Sequence, residues 1–231
     1  MKKTVVAIIP ARGGSKGIPR KNLKEVGGKP LVGHAIDQSQ ACRQIDRTIV
    51  SSEDAEICEV ARSFGAEVLD RSDEFIHDNS VQEVDRLLRW SVQALESRGE
   101  QVDVVVLLYP TAPLRRVETI EQAVTMVTDG GYDSVLSLYE DSTYLWRKAG
   151  DVVEPTNYVP AERGPRQKES WNQWAENKAV YVMTRDLLID TGCRLGGRIG
   201  HVEMSKLESI DVDHPDDLRL VEVILQSRAE G

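Results

Sequence analysis

From Thr4 to Ile9 the chain is apolar without a break, and a strand of that kind is stable only where both faces of a sheet are covered. Asp103–Leu108 (DVVVLL) reads the same way. Arg47–Ser51, Ala66–Leu69 and Ser134–Leu138 read as further strands. Helical segments separate them: Pro30–Cys42, Glu53–Phe64 stopping at Gly65, Ser80–Ser97, Thr119–Val127, and a last helix after Pro215. The period is clearest in Ser80–Ser97, where Val81, Val84, Leu87, Leu88, Val92 and Leu95 share one face. Such alternation predicts an α/β fold, a Rossmann-like, mostly parallel sheet with helices on both faces, in one domain over residues 1–231. Residues 139–173 break the pattern. They hold Trp146, Pro155, Tyr158, Pro160, Pro165 and Trp171 with little period, and read as an insertion that packs on a second subunit or forms a mobile lid.

Composition removes several classes. The net charge of −9 disfavours broad binding of duplex nucleic acid. No apolar run reaches the roughly 20 residues of a membrane helix. Lys2 and Lys3 precede an apolar stretch too short for a signal peptide, with Arg12 and Lys16 where a cleavage region should follow. Cys42, Cys58 and Cys193 are odd in number and far apart, which disfavours zinc and a disulfide framework. The expected location is the cytoplasm.

The charge is uneven, however. Ala11-Arg12-Gly13-Gly14-Ser15-Lys16-Gly17-Ile18-Pro19-Arg20-Lys21-Asn22 directly follows the first strand, and ligands of open parallel sheets bind at strand ends. Its glycines let backbone N–H groups approach and converge on phosphate oxygens. Arg12, Lys16, Arg20, Lys21 and Lys24 precede the first acid, Glu25, and so dense a set of cations calls for a compensating anion such as a triphosphate. The loop fits neither the GxxxxGK[ST] nor the GxGxxG pattern. A solvated basic turn is the plainer alternative.

This loop resembles the first motif of the acylneuraminate cytidylyltransferase family, whose members attach CMP to nonulosonic acids such as sialic, legionaminic and pseudaminic acids. The resemblance implies a sheet of the nucleotide-diphospho-sugar transferase type. It also implies CTP contacts from Ala11, Gly13, Gly14 and Ser15, and phosphate or ribose contacts from Arg12, Lys16, Lys21 and Asn22. Arg71-Ser72-Asp73-Glu74-Phe75 followed by Asp78-Asn79-Ser80 resembles the cytosine-reading segment, which assigns Arg71 and Ser80 to CTP. Taken alone, Arg71 could be a surface arginine and Asp78 a helix cap.

Leu107-Leu108-Tyr109-Pro110-Thr111-Ala112-Pro113-Leu114-Arg115 is similar to the family's Leu-Leu-Gln-Pro-Thr-Ser-Pro-Leu-Arg. Tyr109 replaces a glutamine that faces the acceptor; the phenol either reshapes that site or donates a hydrogen bond from the same place. Arg163-Gly164-Pro165-Arg166-Gln167 resembles an arm that binds the acceptor carboxylate, with Arg166 and Gln167 in that role, and that often reaches the neighbouring subunit's site, which implies a homodimer. Glu176-Asn177-Lys178-Ala179-Val180-Tyr181-Val182 carries Lys178 where the family has glycine.

Ser209-Ile210-Asp211-Val212-Asp213 resembles the family's Ile-Asp-Ile-Asp. In a strand, acids two apart share one side and would repel unless a cation binds, which points to Mg²⁺ on Asp211 and Asp213. Asp213 could instead cap the last helix. The implied reaction is CMP transfer from CTP to an acidic sugar with release of pyrophosphate, Arg12, Lys21 and Asp211 being catalytic. The alternatives are a different acidic acceptor, such as a shorter keto-deoxy sugar acid or a phosphonate, and a nucleotide-binding protein without turnover.

Overall fold

The computed structural model describes residues 2–15, 17–71, 75, 83–164 and 172–230. In chain order the strands are β1 (Val5–Pro10), β2 (Glu25–Val26), β3 (Lys29–Pro30), β4 (Arg47–Ser52), β5 (Glu67–Asp70), β6 (Val104–Leu107), β7 (Ser134–Glu140), β8 (Trp146–Ala149), β9 (Val152–Pro155), β10 (Trp174–Thr184) and β11 (Ile199–Glu203). The helices are α1 (Leu31–Ala41), α2 (Ala55–Ser63), α3 (Glu83–Glu96), α4 (Val117–Thr128), α5 (Arg185–Thr191) and α6 (Pro215–Glu230). Seven strands form one sheet in the order β11-β7-β10-β6-β1-β4-β5. Every neighbouring pair is parallel except those of β10, which runs antiparallel to both β6 and β7.

The apolar runs explain the layering. Side chains alternate across a strand, so Val5, Ala7 and Ile9 of β1 face one core while Val6 and Ile8 face another. On the first face lie α1, α2 and α4, through residues such as Ile36, Ile57 and Val124. On the second lie Leu88, Val92 and Leu95 of α3 with Leu188 of α5. Burying one such aliphatic side chain contributes about 1.5–3 kcal/mol. Asp54 starts α2 by accepting hydrogen bonds from the backbone N–H groups of Glu56 and Ile57. A third, smaller cluster of Ile18, Val26, Leu31, Leu114, Val212 and Val221 ties the loop after β1 to α6.

Three features depart from the sequence reading. The reversed strand β10, α5 and β11 fill residues 174–203, for which no element was expected. Tyr139 and Glu140 complete β7, and β8 and β9 form an antiparallel hairpin within the segment read as an insertion. Asp211 and Asp213 lie in no strand; they follow β11 in an extended segment before α6.

Candidate active site

β1 has β4 on one side and β6 on the other, so the chain changes direction of sheet growth there, and a crevice opens at their carboxyl ends. A cleft of about 330 Å³ occupies it. Its wall includes Arg12 and Ser15 after β1, Arg71 after β5, Tyr109 after β6, Lys21 and Asn22, and Asp211 and Asp213. Eight residues singled out from sequence thus meet in one place. Ala11 does not join them: it is fully buried in the core below. Gly13 and Gly14 lie outside the lining. Lys16, Ser80, Arg166 and Gln167 lie outside the described residues, as does Asp78.

The loop is shaped by its own bonds. Arg20 takes a left-handed conformation (φ 54°) and leads into a short 3-10 turn over Lys21–Leu23. Buried Asn22 donates from Nδ2 to the Arg12 carbonyl at 2.8 Å, closing the loop on itself. Gly17 passes so close to the other wall that a Cβ there would stand 2.5 Å from the Asp213 carbonyl oxygen.

The acids of Asp211-Val212-Asp213 share the cleft for a reason other than strand geometry. Val212 is fully buried beside Ile18 and Leu114, and its N–H donates to the Thr111 carbonyl at 2.8 Å. With the middle residue pinned inward, both flanking carboxylates face out. Asp213 does not cap α6: its carboxylate accepts from Lys21 Nζ at 2.8 Å, while Asp217 accepts from the backbone N–H groups of Asp213 and His214. Burial pushes the Asp213 carboxyl up, but the hydrogen bond and charge of Lys21 outweigh it and hold the group below its ordinary value.

Among the described residues, three of the loop's cations have acid partners within the chain, so a bound anion is not the only counter-charge open to them. Arg12 lies 3.7 Å from Glu83, Arg20 lies 2.6 Å from Glu56, and Lys21 holds Asp213. Glu53, at the end of β4, accepts from the Gly13 N–H at 2.8 Å and lies 3.8 Å from Arg71. Arg71 is buried rather than a surface arginine; burial lowers its pKa, with Glu53 and Glu83 opposing. Sequence reasoning missed Glu53 and Glu83 as site residues. The position of Glu53 just past a parallel strand was the available signal.

On the acceptor side of the sequence pattern, Tyr109 packs edge-on against Tyr181, ring centroids 6.3 Å apart. Burial pushes its phenol up to about 12, so it is a neutral donor at working pH. Arg115, fully buried, donates to Gln38 Oε1 at 3.0 Å and to the carbonyls of Tyr109 and Ala179, bracing the end of β6 against β10. Burial alone lowers its pKa to about 9. Lys178 stands in a bulge of β10 with φ +58°, a conformation that costs a non-glycine residue roughly 1–2 kcal/mol, and its Nζ lies 2.9 Å from Asp211 Oδ2.

A doubly wound sheet whose first strand end carries a glycine-rich basic loop, with paired acids opposite, defines the nucleotide-binding α/β class. The cytidylyltransferase family profile matches residues 6–188, and the chain belongs to that family, with relatives of the acylneuraminate type. It is 36% identical to the N-acylneuraminate cytidylyltransferase A of Danio rerio over 213 residues, covering 90% of this chain and 48% of that protein. The chain therefore spans about half the length of that relative. It is 31% identical to the CMP-N,N'-diacetyllegionaminic acid synthase of Legionella pneumophila, covering 98% of each. Among solved structures, the CMP:2-keto-3-deoxy-manno-octonic acid synthetase complexed with CTP superposes with a TM-score of 0.69 over 98% of this chain and 100% of that one. At 17% identity, that likeness establishes the fold alone.

Proposed function

We propose that the protein transfers CMP from CTP to an acidic sugar of the nonulosonic type. The observation that carries this reading is the meeting of Arg12, Lys21, Asp211 and Asp213 in one cleft over the ends of β1 and β6. The acceptor hydroxyl oxygen attacks the α-phosphorus, the bond to the β-phosphate bridging oxygen breaks, pyrophosphate leaves, and the hydroxyl proton passes to solvent. Such a transfer depends on positioning and on neutralising charge. Arg12 and Lys21 offset charge on the triphosphate. Arg71 serves the cytosine end, and Tyr109 the acceptor.

Asp211 and Asp213 offer hard oxygen donors on one wall, and the described residues hold no cluster of three or more metal-binding side chains. Two carboxylates suit Mg²⁺, which completes its shell with water and substrate phosphates. When bound there, the ion supplies charge neutralisation and orientation of the α-phosphate.

One feature supports a homodimer. Trp146 and Val153 are exposed on one face of the β8–β9 hairpin, Val152 on the other, and Leu145 and Val159 beside it, apolar surface that a second copy of this chain would cover. The free cysteines fit a reducing cytoplasm, and no helix among the described residues is long and apolar enough to cross a membrane. Tyr109 keeps a second acceptor class in view, a shorter keto-deoxy sugar acid or a phosphonate.

The test is pyrophosphate release from CTP and Mg²⁺ across a panel of nonulosonic and shorter keto-deoxy sugar acids. Turnover is expected with at least one of them, and Arg12→Ala and Asp211→Ala should each cost roughly 100-fold or more. Full activity in either variant would remove that residue from the mechanism. No turnover on any acceptor, with CTP still bound, would leave a binding protein.

A further inference from the structure

Lys178 and Lys21 each place an ammonium on one of the paired acids, but the two lysines are held very differently. Lys21 Nζ also donates to the Val212 carbonyl at 2.8 Å, and its side chain is only 15% exposed. Lys178 reaches Asp211 from the bulge of β10, with 56% of its side chain exposed. Its attachment to the fold is nonetheless rigid. Buried Asn177 accepts from the Ala179 N–H at 3.1 Å and donates to Ser209 Oγ at 2.8 Å, so one side chain fixes both the bulge carrying Lys178 and the segment carrying Asp211. The acids facing the ammonium are Asp211, Asp213 and Glu176. The left-handed backbone at 178 is one that glycine adopts freely and lysine does not. A lysine kept there gains its contact with Asp211.

We propose that Lys178 is a resident cation that reserves Asp211, so that a divalent ion must displace its ammonium before it can use that carboxylate. This rests on the reading of Asp211 as a metal ligand. A divalent ion arriving alone competes with a charge that is tethered beside its ligand. An ion arriving with the nucleotide brings phosphates that can receive the displaced ammonium. Lys178 thus acts as a positioning residue: it couples occupation of Asp211 by metal to the presence of the triphosphate. If the pair leaves Asp211 accessible a tenth of the time, apparent affinity for the lone ion falls about tenfold.

The experiment is Mn²⁺ binding to the nucleotide-free protein, read from the electron paramagnetic resonance signal of unbound Mn²⁺. Lys178→Gly suits the backbone and removes the ammonium; Lys178→Asn, also tolerant of positive φ, guards against an effect peculiar to glycine. Both variants are expected to bind Mn²⁺ about tenfold more tightly than the native chain. Lys178→Arg should behave as native, and Asp211→Asn added to Lys178→Gly should abolish the gain. Equal affinity in native and Lys178→Gly proteins, or a gain that survives without Asp211, would overturn the proposal. Calorimetric binding of CTP in chelator, on the same samples, separates the two levels. If CTP binds and the Mn²⁺ affinities are equal, Lys178 alone is misassigned; if CTP does not bind, the nucleotidyltransfer reading falls with it.

Discussion

Val212 shows how one apolar residue can aim two acids. Its burial beside Ile18 and Leu114 gives an irregular segment the in–out alternation of a strand, so the spacing of Asp211 and Asp213 has the effect expected of it through packing instead of sheet pairing. Tyr109 is the cleft residue that the proposed reaction assigns to the acceptor. Because burial raises its phenol to about 12, the hydroxyl stays protonated and its contribution does not titrate between about pH 6 and 10. Tyr109→Phe should therefore lower kcat/KM for the best acceptor by roughly fivefold, the same at every pH in that window, for loss of one neutral hydrogen bond. Tyr109→Gln should change the ranking of acidic acceptors by about tenfold while the KM for CTP moves little, as a steady-state acceptor panel would reveal. A ranking unaffected by the glutamine would remove Tyr109 from acceptor selection. Arg12, Lys21, Asn22, Arg71, Asp211 and Asp213 were legible because they sit in dense local motifs. Glu53 and Glu83 were not: each begins a separate segment, and an acid near the start of a helix has an ordinary explanation in the helix dipole.

Among the elements, the loop after β1 and the segment before α6 act as a single unit. Ile18 and Val212 share a core, and Gly17 touches the Asp213 backbone. A methyl group at position 17 must push the walls apart. Gly17→Ala is expected to lower turnover by roughly 10- to 100-fold, since an ångström of misplacement can cost that much. Thermal unfolding should show a retained cooperative transition; a variant with native kcat would mean that the two walls are not coupled through this contact. The elements read from sequence were those with a continuous apolar run or a long helical period, such as β1, β6 and α3. β10 escaped because its register with β7 breaks between Glu176 and Tyr181, which interrupts the period of two just where it should be recognised. α5 has seven residues, too few for a helical period to stand out, and one of the two buried positions of β11 is Gly200, so no apolar alternation shows there. The β8–β9 hairpin exposes its valines and Trp146, so it lacks the alternation that marks a half-buried strand.

At the scale of the molecule, the parallel layering followed from the alternation of strands and helices, whereas the insertion of an antiparallel strand between β6 and β7 did not, because nothing local records where a distant strand will pair. The exposed hairpin gives the assembly a test. Sedimentation of the native chain should give about twice its 25.8 kDa, and Val153→Asp should shift it toward the single-chain mass. A native protein that sediments as one chain would refute the dimer. The internal pairing of Arg12 and Lys21 also bears on the end of the proposed transfer. Glu83, Glu53 and Asp213 are standing competitors for Arg12, the Gly13 N–H and Lys21. In the proposed transfer, a departing diphosphate would leave behind groups with neighbours ready to reclaim them, which would ease the exit of a highly charged by-product and reset the site for another cycle.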